Sequence, residues 1–100
     1  MASVYVLYSV SADKYYIGST KDLMQRFEYH LLKEFKESYT AKYHDWELYF
    51  EIPNLTIRIA RKIESHIKKM KSRVYLENLR KHPEITKKLI LKYKIGRAHV

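Results

Sequence analysis

The stretch Val4–Thr20, VYVLYSVSADKYYIGST, determines how the fold begins. It contains two runs rich in β-branched and aromatic residues, Val4–Ser9 and Tyr15–Gly18, with a polar segment between them. Such runs favour β-strands, and the polar segment suits the turn of a hairpin. The sequence therefore predicts an antiparallel hairpin. The tyrosines in both strands are unusual for a small core, because each buried phenol hydroxyl needs a hydrogen-bond partner.

A helix is predicted directly after this hairpin. Ser19 and Asp22 have the spacing of a capping arrangement at a helix N-terminus. The apolar residues that follow recur at helical spacing and predict an amphipathic helix: Leu23, Phe27 and Leu31. Residues 36–45 are polar and show no period, so we expect a loop there.

The second half of the chain predicts one more strand and three more helices. Trp46–Ile52 is the third strand, which we expect to end at Pro53 and Asn54. Three residues are suited to helix starts: Thr56, Ser72 and Pro83. Apolar stripes follow them at Ile59, Ala60, Ile63, Ile67 and Met70, then at Leu76 and Leu79, then at Ile85 and Leu89. The order β-β-α-β-α-α-α predicts an α+β domain, a small three-stranded antiparallel sheet flanked by helices.

Composition narrows the class of protein. The chain has 100 residues and no cysteine, which predicts one domain without disulfides or a thiolate metal site. No signal segment is visible and no apolar run approaches the roughly 20 residues of a membrane span, so we expect a cytoplasmic protein with no membrane partner. Twenty Lys and Arg against eleven Asp and Glu give a net charge of +9. This excess favours a nucleic-acid partner.

The C-terminal residues 94–100, KIGRAHV, do not continue the helical pattern. They resemble the peptide made when a reading frame runs into a sequencing adapter. We expect them to be a non-native tail and exclude them from fold reasoning. The underlying DNA sequence tests this directly.

Five segments in order resemble a known family: SVYVLYS, KYYIGST, KDLMQRFEYH, WELYFEI and ARKIESHIKKMKSR. They are similar to the GIY-YIG nuclease domain, in particular to the short stand-alone members related to the N-terminal half of an excinuclease. Ser3 and Val4 stand where the first motif has glycine and isoleucine, and Asn78 is a poor match for the family's late asparagine. The resemblance implies a nuclease domain over residues 1–82 and a helical extension over residues 83–93.

The resemblance also implies the site residues. Tyr5 corresponds to the general base, and Tyr16 aids alignment. Arg26 supplies a positive charge for the phosphate, and His30 assists proton movement. Glu64 corresponds to the metal ligand.

The spacing of these residues is compatible with one site. Tyr5 and Tyr16 lie on neighbouring strands, where they can face each other. Arg26 and His30 are four apart on a predicted helix and share a face. The other acidic residues are scattered, so the sequence predicts a single divalent ion on Glu64, Mg²⁺ or another such as Mn²⁺. An ordinary tyrosine has a pKa of about 10, so ionising it at pH 7 costs roughly 4 kcal/mol.

The resulting hypothesis is a Mg²⁺-dependent DNA endonuclease, structure-selective or weakly sequence-specific, of the kind used in DNA repair. A protein partner could supply its targeting. The expected DNA contacts are Lys21, Lys42, Lys68, Lys69, Lys71 and Arg73. A non-catalytic nucleic-acid-binding module, descended from a nuclease, is the first alternative. A protein-interaction domain with an incidental basic surface is the second.

Other aromatic and imidazole side chains are expected outside the site. The tyrosines predicted to be half-buried packing residues are Tyr8, Tyr15, Tyr49 and Tyr93. The histidines His44, His66 and His82 show no metal-ligand spacing and are expected at the surface or behind the site.

Overall fold

The computed structural model describes residues 1–22 and 45–95. This part of the chain forms three strands and three helices: β1 Ala2–Ser9, β2 Lys14–Thr20, β3 Trp46–Leu55, α1 Ile57–Met70, α2 Arg73–Lys81 and α3 Pro83–Ile95. The helix predicted from Leu23 and the loop predicted before Asp45 lie outside the described residues. The α+β class and the order of the described elements are as predicted.

The three strands form one antiparallel sheet in the order β2-β1-β3. The predicted hairpin is therefore correct, and β1 is its inner strand. Tyr5 lies opposite Gly18, and Leu7 lies opposite Tyr16. Because side chains alternate along a strand, Tyr5, Tyr16 and Gly18 belong to one face of the sheet.

Strand β3 continues past the predicted end at Ile52 and runs to Leu55, so the prediction that Pro53 and Asn54 stop it was wrong. Val4 pairs with Ile52 while Ala2 pairs with Leu55, which leaves one extra residue on β3. This bulge accommodates the chain, with Asn54 at a positive φ of 63°. Proline is tolerated because β3 is at the edge of the described sheet, where an amide can go without a ladder partner.

Most of the core lies between one face of the sheet and the helices. Its buried members are aliphatic: Ala2, Val4, Val6, Ile52, Leu55, Ile59, Ala60, Ile63, Ile67, Leu76, Leu79 and Leu89. A second buried cluster, formed by Tyr5, Leu7 and Trp46 with Tyr16 against it, lies on the other face. Burial of β1 on both faces fixes its register, since a slip of one residue would exchange the two faces.

Helix starts follow the predicted caps. The Thr56 hydroxyl accepts a hydrogen bond from the Ile59 N–H at 3.2 Å, and the Ser72 hydroxyl accepts one from the Tyr75 N–H at 3.1 Å. Met70, the last member of the predicted apolar stripe, is 45% exposed, so the buried part of the stripe ends at Ile67. Helix α1 ends at Met70, and the chain turns there through Lys71 in the left-handed conformation.

The hairpin turn is fastened to the start of β3 by a carboxylate. Asp45 accepts hydrogen bonds from the Ser9 hydroxyl at 2.5 Å and from the Ser11 N–H at 2.7 Å. These bonds hold the pKa of the Asp45 carboxyl below its usual range, with the Ser9 bond the largest cause. Asp45, the residue directly before β3, is therefore fixed against the hairpin turn.

The predicted packing tyrosines are half-buried, as expected. The Tyr8 and Tyr15 rings lie 4.8 Å apart, and the Tyr15 and Tyr49 rings meet edge to face at 5.2 Å. Tyr93 on α3 packs against the main core. Helix α3 ends at Ile95, so it includes the first two residues of the stretch expected to be non-native. The predicted division into a nuclease domain over residues 1–82 and an extension over residues 83–93 stays a prediction.

Within residues 1–22 and 45–95, no helix is both long and apolar enough to cross a membrane.

Candidate active site

Tyr5 is buried against the backbone of Gly18. The Tyr5 side chain is 2% exposed, and Gly18 is its direct cross-strand neighbour. A Cβ atom on residue 18 would lie 2.5 Å from the Tyr5 hydroxyl oxygen and 2.7 Å from Cζ. The end of the phenol therefore lies directly over Gly18. The φ angle of Gly18 is not positive, so its backbone conformation does not require a glycine. The glycine of the Tyr-Ile-Gly segment is required instead by the close approach of Tyr5.

Tyr16 lies beside Tyr5 on the same face. Their ring centroids are 6.2 Å apart, and the Tyr16 ring also meets Trp46 edge to face at 6.5 Å. Tyr16 is half-buried and lines a groove of about 300 Å³ with Tyr15, Ile17 and Lys68. We call this the tyrosine groove. The sequence predicted that the two tyrosines could face each other; they share one face of the sheet but are diagonal neighbours, because Tyr5 lies directly opposite Gly18 and Tyr16 directly opposite Leu7.

Glu64 is held at strand β2 by Ser19. It follows the buried Ile63 on α1, which faces the sheet. Its Oε1 atom accepts a hydrogen bond from the Ser19 hydroxyl, and its Oε2 atom accepts one from Lys68 Nζ at 2.6 Å. The Glu64 side chain is 19% exposed, whereas that of Lys68 is 54% exposed. The carboxylate is thus fixed on its inner side and is reached from solvent on its outer side.

Sequence reasoning missed this role of Ser19. It was expected to cap a helix with Asp22, but it lies within β2, and its hydroxyl is turned to Glu64. The hydroxyl that accepts a hydrogen bond from the Asp22 N–H, at 3.1 Å, is that of Thr20. The available signal was strand alternation, which places Ser19 on the face opposite Gly18. Only the packing of α1 on that face could show its partner.

The tyrosines and the glutamate therefore approach β2 from opposite faces. Gly18 supports Tyr5 on one face, and the next residue, Ser19, holds Glu64 on the other. Lys68 lines the tyrosine groove and also the groove that contains Glu64, so the two grooves adjoin at its side chain. A phosphodiester that contacts both sets of groups would have to lie along the outer edge of β2, next to Lys68.

The groove around Glu64, here the glutamate groove, has a volume of about 440 Å³. It is lined by Arg61, Glu64, Ser65, Lys68, Lys69 and Lys71. The lysines predicted to contact DNA from α1 are therefore together at this groove, and all are exposed. Lys21 is exposed just after β2. Four cations and one carboxylate give the groove a net positive charge, which favours an anionic occupant.

Arg73 does not line these grooves. Its guanidinium pairs with Asp13 Oδ1 at 2.8 Å and lies 5.4 Å from the centre of the Tyr15 ring. The pairing lowers the pKa of the Asp13 carboxyl, with the Arg73 hydrogen bond the largest cause. Arg73 therefore joins α2 to the hairpin turn, and any contact with DNA would compete with this ion pair.

Three predicted site residues, Arg26, His30 and Lys42, lie outside the described residues, and their placement relative to Tyr5 and Glu64 stays a prediction.

The Glu64 carboxylate suits a hard divalent cation. Among residues 1–22 and 45–95, no group of three or more His, Asp or Glu side chains could hold an ion. Mg²⁺ is commonly held by one or two carboxylates, with waters and substrate oxygens as its other ligands. Glu64 offers such an oxygen ligand at the surface of an open groove, once the exposed Lys68 ammonium moves aside. The residues present therefore fit a single ion that keeps most of its shell from water and substrate.

A family model described as the GIY-YIG catalytic domain matches residues 1–78. The chain therefore belongs to the GIY-YIG family, as the sequence motifs indicated. This family points to endonuclease activity and hence to a DNA substrate. No curated protein and no solved structure matches the chain.

Proposed function

We propose that this protein is a divalent-metal-dependent endonuclease that hydrolyses DNA phosphodiester bonds at the outer edge of β2. One observation carries the proposal: the two candidate groups, a tyrosine and a glutamate, contact consecutive residues of β2. Tyr5 lies over Gly18, and Glu64 is held by Ser19. A tyrosine hydroxyl and a carboxylate at one strand edge, beside a basic groove, are suited to act on a phosphodiester.

Tyr5 is the proposed general base. Its ring is locked by burial, so the hydroxyl is held in one position for a nucleophilic water. Tyr16, 6.2 Å away between ring centres, helps to align that water or the phosphate. Because an ordinary tyrosine is protonated at pH 7, either Arg26 and the metal ion lower the cost of ionising Tyr5, or Tyr5 passes its own proton on as it accepts one. His30 is the proposed acceptor, and Arg26 the proposed phosphate ligand.

Glu64 is the proposed ligand of Mg²⁺ or Mn²⁺. A bound ion would supply electrostatic stabilisation of the charge that develops on the phosphate and its leaving oxygen. Ser19 orients the Glu64 carboxylate by donating to Oε1. Lys68 pairs with Oε2, and if a cation took its place there, its ammonium could contact a phosphate oxygen instead.

We propose a structure-selective or weakly sequence-specific activity, as in DNA repair. The described surface offers lysines for the sugar–phosphate backbone, and such contacts carry no base sequence information. One site cuts one strand, so nicks are the expected product. A protein partner for targeting and a cytoplasmic location belong to this proposal.

The test is nicking of supercoiled plasmid by the purified full chain, with Mg²⁺ and with EDTA. We expect Mg²⁺-dependent nicks, and rates at least about 100-fold lower for Tyr5→Phe, because general-base catalysis contributes roughly 10²- to 10⁴-fold. Tyr5→Phe keeps the ring over Gly18, and Glu64→Gln keeps an acceptor for Ser19, so both variants should fold. Unchanged circular dichroism is the control. Full activity in Tyr5→Phe would contradict the assigned base.

A non-catalytic nucleic-acid-binding module is the second candidate. It is favoured by the glutamate groove, whose four cations could hold a polynucleotide whatever Tyr5 and Glu64 do. It predicts salt-sensitive binding to several DNA forms without nicks at any Mg²⁺ or Mn²⁺ concentration. In that case Tyr5→Phe would leave every measured property unchanged.

A further inference from the structure

A second basic groove lies on the other side of α1 from the tyrosine groove. It has a volume of about 450 Å³ and is lined by Lys62, Ser65, His66, Lys69 and Tyr93. No carboxylate is among these residues, in contrast to the glutamate groove. We call it the α1–α3 groove, because one of its walls is helix α3.

Its wall is held rigid by a histidine between two tyrosines. His66 Nδ1 lies 2.9 Å from the Tyr93 hydroxyl, and Nε2 lies 3.2 Å from the Tyr75 hydroxyl. In the neutral ring one nitrogen donates and the other accepts, so the two bonds join α1 to both α2 and α3. The lining is therefore formed by the fold rather than by loose surface side chains alone.

The groove carries positive charge from Lys62 and Lys69, which both line it. Lys92 adds a third cation, with its Nζ atom 5.4 Å from the centre of the Tyr93 ring. Lys62 and Lys69 are exposed at the rim, so an anion can reach them.

The α1–α3 groove is continuous with the proposed active site. Ser65 and Lys69 line both it and the glutamate groove. Lys68 in turn joins the glutamate groove to the tyrosine groove. The three grooves thus form one path that begins at Tyr16, crosses the exposed side of α1 and ends at Tyr93. From Lys62 to Lys69 this path spans about 10 Å along the helix axis.

We propose that the α1–α3 groove binds backbone phosphate of the same DNA, beyond the bond that is cut. The proposal rests on the proposed nuclease function and adds the course of the DNA away from the site. Lysine ammonium groups and the Ser65 hydroxyl are suitable donors to phosphate oxygens. The class of ligand is a polynucleotide long enough to extend from the edge of β2 across α1 to α3.

The test compares two variants that lose the same charge. Lys62→Gln with Lys92→Gln removes one cation that lines the α1–α3 groove and one that lies 5.4 Å from the centre of its Tyr93 ring. Lys81→Gln with Lys87→Gln removes two exposed cations that line none of the three grooves. Affinity of the full-length chain for a fluorescent duplex is measured by anisotropy in EDTA, over a series of KCl concentrations. EDTA prevents metal-dependent cleavage during the measurement.

We expect the slope of log affinity against log salt to fall by up to about 1.8 for the groove variant, since each phosphate contact contributes about 0.9. The control pair should change the slope much less. A duplex too short to reach the groove should bind both variants equally. Equal slopes for the two variants would overturn the inference.

Failure of this inference and failure of the proposed function are distinguishable. If wild type nicks DNA but the two variants bind alike, only the course of the DNA is wrong. If the two variants differ in slope but the wild type produces no nicks under any condition, the groove is a binding surface and the proposed catalysis is wrong. Absence of salt-dependent binding in wild type would overturn both.

Discussion

At the scale of single residues, the site depends on the absence of one side chain. Gly18 lets the hydroxyl end of Tyr5 lie against the backbone of β2, because a Cβ atom there would be 2.5 Å from the hydroxyl oxygen, 2.7 Å from Cζ and 3.1 Å from Cε1. Real Cβ atoms do not approach so closely, so any larger residue must displace Tyr5 or the strand. Gly18 is thus a positioning residue for Tyr5.

Gly18→Ala is expected to destabilise the protein by about 1–3 kcal/mol, the usual cost of overpacking, and to abolish nicking. Chemical denaturation measures the first effect and plasmid nicking the second. In a Tyr5→Ala background the same substitution should cost much less, because the ring that it meets is gone. Additive costs in this double-mutant cycle would contradict the contact between Tyr5 and Gly18.

Ser19→Ala is expected to weaken Mn²⁺ binding by about 10-fold or more, since residues that orient a metal ligand typically contribute that much. The reason is loss of the hydrogen bond from the Ser19 hydroxyl to Glu64 Oε1. Free Mn²⁺ is measured by electron paramagnetic resonance, and half-saturating Mg²⁺ for nicking is measured in parallel. Ser19→Thr is the matched control, as it keeps the hydroxyl and should restore binding. If Ser19→Ala binds Mn²⁺ like wild type, Ser19 has no such role.

At the scale of elements, the end of α1 contains a local strain. Lys71 is its C-terminal cap with φ 47° and ψ 43°, a left-handed conformation in which glycine is favoured over residues with a Cβ atom. The helix nevertheless has lysine there, beside Lys68 and Lys69 in its last turn. Cations at this end complement the helix dipole, and Lys71 also lines the glutamate groove.

Lys71→Gly is expected to raise the free energy of unfolding by a few tenths up to about 1 kcal/mol, because it removes the left-handed strain. Thermal unfolding measures this, at roughly 4–8 °C per kcal/mol for a chain of this size. Lys71→Ala loses the same charge but keeps a Cβ atom, so it should show no gain. Both should bind DNA more weakly than wild type and equally so. A gain of the same size in Lys71→Ala would argue against strain as the cause.

At the scale of the whole molecule, stability should depend on pH through His66. Its folded-state pKa is lowered from the ordinary 6.5 by burial, then by Lys92 and Lys69. Below pH 6.5 the unfolded chain therefore binds a proton that the folded protein resists. Stability is complete above pH 6.5 and is lost as the pH falls from there through the lowered folded-state pKa.

The expected result is a melting temperature that decreases between pH 7 and the lowered pKa of His66. His66→Gln should flatten this decrease, since glutamine keeps hydrogen-bonding capacity without a proton to gain. His82→Gln is the control: it retains His66, so its melting temperature should decrease with pH as in the wild type. A further decrease below pH 3.8 should appear in all three proteins, because the carboxyls of Asp13 and Asp45 have lowered pKa values. If the melting temperature of His66→Gln decreased with pH as much as that of the wild type, the prediction would be contradicted.

Much of the fold could be predicted from the sequence, because its signals are local. The strand runs, the caps at Thr56 and Ser72 and the apolar stripe through Ile63 are set by near neighbours along the chain. Predictions were wrong where long-range pairing overrode a local signal. Pro53 reads as a strand end, yet pairing of Ala2 with Leu55 carries β3 past it through a bulge.

The sequence by itself determined the family, the order of the described elements, and the identities of Tyr5, Tyr16 and Glu64 as candidates, since motifs and periodicity need no contacts to be recognised. Only the tertiary structure decided which groups meet. The bond between Ser19 and Glu64 joins residues 45 apart in the chain, and it depends on the packing of α1 against β2. The path from the tyrosine groove to Tyr93 likewise exists only once three elements are packed together, because no local pattern encodes how surfaces from distant segments adjoin.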